Sequence, residues 1–378
     1  MGDPGTQVTR EPSPIARLAG PDGPPTARYY GGHRGGHAGG SRGVVPPGST
    51  QLRAAKRLTK RSFRQRERAF LAEGPQAVAE ALSSGAQVTD LFVTGPARSR
   101  HADLITTAEG AGVPVHVVSG QVMEELAQTV TPQGLLAVCG FVDVPLANVV
   151  SELRKLCLGS GVAWTPREPK GAAPPGLTSD EGARREGGAS RAPGFERENR
   201  APGFERENRV TEPVPALVAL LANVRDPGNA GTVLRTADAA GAQAVVFADA
   251  SVDPYNGKCV RASAGSLFHL PVVAGARLDD AVAAMRAAGL RIVAADGRAA
   301  RSLDDPGVQA RLSEPTAWMF GNEAWGLPPD LVALADEAVA VPIYGKAESL
   351  NLAAAAAVCL YASVRAQRVH GVTGHSGT

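Results

Sequence analysis

Apolar residues along the chain fall into two groups of short runs separated by helix-length amphipathic stretches, with polar, Gly- and Pro-rich sequence before, between and after them. In the first group, residues 88–93, 113–118 and 135–142 read as strands, and 75–82, 101–111 and 121–128 as helices; Pro75 opens the first of these where a missing N–H costs nothing. In the second group, 217–221, 244–248, 290–295, 316–320 and 339–343 have the length and composition of buried strands, interleaved with helices over 230–240, 279–288 and 350–368. Alternating strands and helices predict α/β architecture in both groups: a small domain over 50–148, and over 213–369 a mostly parallel sheet with helices on both faces.

The flanking sequence predicts a different state. Residues 1–49 are rich in Gly, Pro, Arg and Ser, with almost no aliphatic clusters, and cannot bury enough surface to offset the entropy of ordering; they and 370–378 are expected to be disordered tails. Between the domains, residues 149–212 contain Pro174, Pro175, many glycines and a nine-residue unit, 191–199, repeated unchanged at 200–208. Two polar copies are too few to stack into a solenoid, so a flexible linker is expected there.

Charge sharpens one region. The net charge is only +2, but Arg53, Lys56, Arg57, Lys60, Arg61, Arg64, Arg66 and Arg68 crowd one span with Glu67 as the sole anion. On a helix starting at Gln51, Arg53, Arg57, Lys60, Arg61, Arg64 and Arg68 recur every three or four residues and share a face that is either solvated surface or a phosphate-binding one. The four cysteines, Cys139, Cys157, Cys259 and Cys359, form no Cys-x-x-Cys pair and have no histidine at metal spacing, so no metal site and no disulfide are expected, only buried small hydrophobes in a reducing compartment. No apolar run reaches the ~18 residues of a membrane span, and the N-terminal residues lack a signal-peptide core; a cytoplasmic protein with no membrane partner is expected.

Candidate chemistry sits at three strand ends of the second domain. After 217–221, Asp226, Pro227, Gly228 and Asn229 make a turn into a helix that carries Arg235 and stops at Gly241. After 316–320, Gly321 and Gly326 bracket a turn containing Asn322 and Glu323, where absent side chains let a ligand approach the backbone. After 339–343, a loop leads to Ser349, placed to cap the last helix, and to Asn351. Singly, each residue is more simply a turn or cap former. Three polar, Gly-containing corners at the carboxyl ends of strands in one domain, where open parallel sheets bind ligands, point to a site.

Asn229 with Arg235 six residues on, Phe320-Gly321-Asn322-Glu323, and Ile343 with Ser349-Leu350-Asn351 resemble, in order, the three motifs of the SpoU, or TrmH-like, family of RNA ribose 2′-O-methyltransferases in the knotted SPOUT class. The resemblance covers about 217–368, and 70–78 looks like the family's ribosomal-protein-like substrate-binding domain. It implies a trefoil-knotted C-terminal domain, S-adenosylmethionine as cofactor, methyl transfer to a ribose hydroxyl of structured RNA, and a homodimer. Carried over residue by residue, Asn229, Arg235, Glu323, Ser349 and Asn351 are the catalytic candidates, and Phe320, Gly321, Asn322, Ile343, Leu350 and Leu352 the cofactor-binding ones. Arg53, Arg57, Lys60, Arg61, Arg64 and Arg68 would grip RNA.

In such a site Arg235 is the family's proposed activator. An arginine pKa above about 12 makes phosphate anchoring and ribose orientation the simpler role. Asn229 would hold Arg235 or the ribose, Glu323 would orient Asn229 or its loop, and Ser349 with Asn351 would complete a polar wall. The two-domain arrangement resembles the ribosomal branch, favouring 23S ribosomal RNA over transfer RNA. A non-catalytic RNA-binding or ribosome-assembly factor is the alternative from another class, disfavoured by the intact polar set. A nucleotide-dependent dehydrogenase lacks its Gly-x-Gly-x-x-Gly fingerprint.

Overall fold

A computed structural model of the chain describes residues 49–159 and 215–373. Of the expected tails, residues 1–48 and 374–378 lie outside the described residues, as do 160–212 of the expected linker with its repeat; residues 370–373, expected in the C-terminal tail, continue the last helix.

The N-terminal half runs α1 (Thr50–Arg57), α2 (Arg61–Glu67), β1 (Ala69–Glu73), α3 (Pro75–Ser83), β2 (Val88–Thr94), α4 (Gly95–Arg100), α5 (Ala102–Gly110), β3 (Val115–Val118), α6 (Gly120–Ala127) and β4 (Leu135–Gly140). Its four strands order β1-β4-β2-β3; β4 is antiparallel to β1 and β2, and β3 parallel to β2. The single basic helix expected from Gln51 is two helices. The chain turns at Leu58, whose side chain is buried, Lys60 takes an extended conformation, and Arg68 ends α2 in the left-handed region at φ 50°. Strand β1 is not foreseen by pattern because its apolar run, Ala69 to Ala72, is only four residues long between Arg68 and the buried Glu73, too short to tell from the end of a helix.

The second half begins with α7 (Leu146–Gly159), which occupies residues 149–159 of the expected linker. Its Val149, Val150, Leu153 and Cys157 are buried in the core under the C-terminal sheet, a helical apolar stripe that overrides the neighbouring polar composition. Then follow β5 (Leu217–Leu221), α8 (Pro227–Ala240), β6 (Ala244–Ala248), α9 (Gly257–Ser263), a 3₁₀ turn over Ser266–Phe268, β7 (Val272–Ala276), α10 (Leu278–Ala287), β8 (Arg291–Ala295), α11 (Pro306–Gln309), β9 (Thr316–Phe320), α12 (Pro329–Val332), β10 (Glu337–Val339) and α13 (Leu352–Thr373). The strand expected over 339–343 stops at Val339. Ala340 makes one isolated bridge to Ser302, and 341–343 leave the sheet. Strand β7 and helix α9 are additions to the sequence-based elements, both short and without a clean period.

All six strands are parallel, ordered β10-β8-β9-β5-β6-β7. Strand order reverses between β5 and β9, and there Leu221 pairs with Phe320, so the first two motif corners leave the sheet side by side. Every residue of β5, β6 and β9 is buried, as helices on both faces require. The two sheets meet through aromatic rings: Tyr255, from the connection between β6 and α9, stacks on Phe141 at 3.7 Å and tilts against Phe70 at 4.8 Å. Burying rings of this size contributes about 1.5–3 kcal/mol each, which makes the junction part of the core.

Candidate active site

The first corner is built by a cap. Asp226 stands in extended conformation before Pro227, and its carboxylate accepts the Asn229 N–H at 2.9 Å, starting α8. Lys258 at the start of α9 donates to the other Asp226 oxygen at 2.7 Å, and this hydrogen bond is the main reason the Asp226 pKa lies below the usual carboxylate value. Behind the corner, α8 packs tightly on α9: a Cβ on Gly231 would stand 2.3 Å from the Cys259 carbonyl oxygen, so only glycine permits the approach.

At the second corner, Asn322 and Gly326 exchange backbone hydrogen bonds of 2.9 Å and close a tight turn that projects Glu323, Ala324 and Trp325 outward. Gly321 is obligatory, since a Cβ there would meet the Gly326 carbonyl group at 2.6 Å. Asn322 is buried and donates its amide to the Asn223 carbonyl at 3.1 Å, tying this turn to the loop of the first corner. At the third corner the cap of α13 is Asn351, whose Oδ1 accepts the Ala353 N–H at 2.9 Å; Ser349, the expected cap, lies outside the helix and is exposed.

Hydrogen bonds join the three corners. The Glu323 carboxylate accepts the backbone N–H groups of Arg225 (3.3 Å) and Asp226 (3.1 Å) and the Asn229 side-chain amide (3.3 Å). Asn351 in turn donates Nδ2 to Asn229 Oδ1 at 3.0 Å. The amide orientations are forced: a carboxylate only accepts, so Asn229 must turn Nδ2 to Glu323 and Oδ1 to Asn351. Each asparagine keeps one donor hydrogen and one lone pair for a ligand.

Arg235 is not part of this cluster. Six residues along a helix advance about 9 Å and turn about 240° past a full revolution, so it sits further up α8 on another side. It is exposed, and among the described residues no hydrogen bond or ion pair occupies its guanidinium. The expected Asn229–Arg235 contact is therefore replaced by Asn229–Glu323 and Asn229–Asn351.

Of the expected cofactor residues, Phe320, Gly321 and Asn322 are buried at the end of β9. Ile343 and Leu350 are 38% and 40% exposed in a loop whose residues 343–351 are all exposed, and a Cβ on Gly345 would touch nothing within 4 Å. Open backbone flanked by uncovered aliphatic side chains suits the flat, partly apolar face of an adenosine.

The basic set divides. Arg53, Arg57, Lys60 and Arg61 are exposed on α1 and α2 and the turn between them. Arg64 is buried and its guanidinium is taken by Asp253 (3.0 and 2.7 Å) and by the Leu58 and Thr59 carbonyls, which corrects its expected role as a phosphate ligand. Arg68 is half-buried, bonded to Asp143 and stacked on Phe141, and is corrected likewise. Residue spacing places both on the basic face; their acidic partners, 189 and 75 positions away, are invisible to it. Sequence reasoning also passes over Lys258, for the same reason, and over the capping role of Asp226, which its place just before Pro227 signals.

Comparison with known proteins gives a consistent result. Residues 216–361 match the model of the SpoU rRNA Methylase family, and 49–137 that of the MRM3-like substrate binding domain. The 23S rRNA (guanosine(2553)-2′-O)-methyltransferase RlmP of Bacillus subtilis is 30% identical over 306 residues, 81% of this chain and 92% of that protein. The 23S rRNA (uridine(2479)-2′-O)-methyltransferase of Streptomyces viridochromogenes is 41% identical over 154 residues, 39% of this chain and 51% of that protein. Among solved structures, an AdoMet-bound rRNA methyltransferase from Sinorhizobium meliloti superimposes with a TM-score of 0.58 at 25% identity, covering 85% of this chain and 97% of that one.

Proposed function

The chain belongs to the SpoU methylase family, and from that premise we propose that it methylates a ribose 2′-hydroxyl of 23S ribosomal RNA, using S-adenosylmethionine, at the crevice where Asn229, Glu323 and Asn351 meet. The observation that carries this reading is the hydrogen-bonded chain Glu323–Asn229–Asn351, which links three loops from separate strands while leaving on the same helix an exposed cation, Arg235, with no ion-pair partner among the described residues. The relative that supports ribosomal RNA as substrate is covered over nearly its whole length, N-terminal half included.

S-adenosylmethionine supplies a methyl group activated by its sulfonium. Phe320, Gly321 and Asn322 at the end of β9, with Ile343, Leu350 and Leu352 of the last loop and helix, would hold it. What the chain itself must do is bring one ribose hydroxyl into line so that its proton can pass to an oxygen of the anchored RNA phosphate or to water, since a protonated hydroxyl is a poor nucleophile. Arg235 anchors the RNA phosphate beside the target ribose and so orients the hydroxyl. Asn229 and Asn351 offer it their spare amide groups, and Glu323 keeps Asn229 from rotating. Ser349 completes the polar wall from the loop. Arg53, Arg57, Lys60 and Arg61 hold the RNA at a distance from the reacting nucleotide, setting register without reading bases.

Two further parts belong to this reading. The protein acts as a homodimer, supported by Val358 and Tyr361, three apart on α13 and each 43% exposed, which form an uncovered apolar strip. The C-terminal domain is knotted, supported by the chain's return from edge strand β10 to lay α13 against α8, β5 and β9. No helix among the described residues is long and apolar enough to cross a membrane, and we place the enzyme in the cytoplasm, where ribosomes are made. The domain limits follow the sheets: an RNA-binding module over 50–148 and the methyltransferase domain over 213–369, with α7 packed on the latter.

The decisive experiment is transfer of a labelled methyl group to ribosomal RNA, followed by mapping of alkali-resistant linkages. One 2′-O-methylated nucleotide in 23S RNA is expected, and label on a base would overturn the proposal.

A further inference from the structure

We infer that the segment Asp253–His269 is a rigid coupler that fixes the span between the RNA-binding module and helix α8, so that the nucleotide presented to Arg235 is selected by distance; this rests on the reading above.

The segment grips the N-terminal module at four places. Asp253 takes the buried Arg64 guanidinium. The Tyr255 hydroxyl accepts the N–H groups of Val142 (2.9 Å) and Asp143 (2.6 Å) and donates to the Asp143 carboxylate at 2.7 Å. Arg261 donates to Glu73 of β1 and to the Ala127 carbonyl, both at 2.9 Å. His269 meets Glu80 of α3 at 2.8 Å.

The same segment holds α8 along its length. Lys258 binds the capping Asp226 just before the first residue, Cys259 lies against Gly231 near the start of the second turn, and His269 meets Asp238 at 3.0 Å in the last turn. Arg235 lies between the second and third of these points. A helix pinned at both ends and in between cannot rotate or slide relative to the module without breaking the partly exposed Lys258–Asp226 and His269–Asp238 pairs or the buried Arg64–Asp253 pair, whose loss would leave charges unpaired. Bound RNA therefore meets the exposed cations of α1 and α2 and the Arg235 guanidinium at a set separation. Arg64, Asp253, Arg261 and His269 act as positioning residues, away from the reacting atoms.

The test uses the full chain with S-adenosylmethionine and 23S RNA lacking the modification. Wild-type protein comes first: if it methylates no ribose, the proposed function fails, and the coupler is not at issue. In R64M/D253L both charges are removed together and apolar groups fill the space, so the fold is expected to hold. Predicted are S-adenosylmethionine binding, read by thermal shift, equal to wild type; a KM for RNA within about 3-fold; and a kcat at the native nucleotide about 10-fold lower or more, with methyl groups appearing on neighbouring nucleotides. Methylation of the single native nucleotide at wild-type kcat would overturn the inference, as would a raised KM with kcat and site choice intact, the signature of a segment that merely supports the module. Should that variant not fold, K258A/H269A replaces it: both side chains are partly exposed, 56% and 35%, and their removal frees α8 at both ends with the same outcomes expected.

Discussion

Asn229 shows how far one side chain's role depends on its partners. In the sequence it is a turn residue with a cationic neighbour six positions on; in the structure its amide is held between Glu323 and Asn351 with one hydrogen and one lone pair to spare, and Arg235 is left open to solvent. Arg235→Ala is accordingly expected to lower kcat/KM for RNA by at least about 100-fold, a scale set by lost orientation and charge stabilisation. S-adenosylmethionine affinity should stay within about 2-fold, measured by calorimetry, because among the described residues no hydrogen bond or ion pair ties Arg235 to the loops assigned to the cofactor. Survival of turnover within a few-fold would mean the role is misassigned. Asn229, Glu323 and Asn351 were legible as a set because each sits in a short motif. Arg64 was misjudged because helical spacing reports which residues share a face and says nothing about what covers that face.

At the scale of elements, α8 and α13 carry the site, and each has a distinct point of weakness. Gly231→Ala would drive a methyl group into the Cys259 carbonyl, so a loss of about 1–3 kcal/mol is expected in urea unfolding, with α8 displaced and methylation reduced. For α13 the cap distinguishes two neighbouring residues. Asn351→Ala should cost about 1 kcal/mol from the lost cap and also release Asn229, whereas Ser349→Ala should leave stability within about 0.5 kcal/mol. Equal losses for the two would show that the cap has been assigned to the wrong residue. The strands that the sequence marked clearly, 217–221, 244–248 and 316–320, recur with the same limits, because fully buried central strands leave continuous apolar runs. Strand β10 shifted because it lies at the sheet edge, where few neighbours constrain its ends.

The whole molecule is held by charges that cross from one half to the other, and one of them gives a pH dependence. His269 lies between Asp238 and Glu80, and its hydrogen bond to Asp238, with that to Glu80, lifts its pKa from 6.5 to about 9 against the opposing effect of burial. A folded-state value above the unfolded one means the stabilisation is complete below pH 6.5 and disappears as pH rises through about 9. Since the side chain is 35% exposed, solvent screening limits the effect to about 1 kcal/mol or less. Wild type should exceed His269→Gln by about that amount in urea unfolding at about pH 6 and match it near pH 10; a constant difference would argue for packing as the cause.

The amino-acid sequence by itself determined the two α/β halves, the strands at the centre of the parallel sheet and the three motif corners, because all of these are local: period, turn chemistry and capping act within a few residues. Only the tertiary structure decided that Glu323, Asn229 and Asn351 form one chain of hydrogen bonds, that Arg64 faces inward and Arg68 pairs with Asp143, and that Asp253–His269 ties the RNA-binding half to α8. Each of those pairs residues far apart in the chain, and such a partnership exists only once the sheet order has brought the strand ends together.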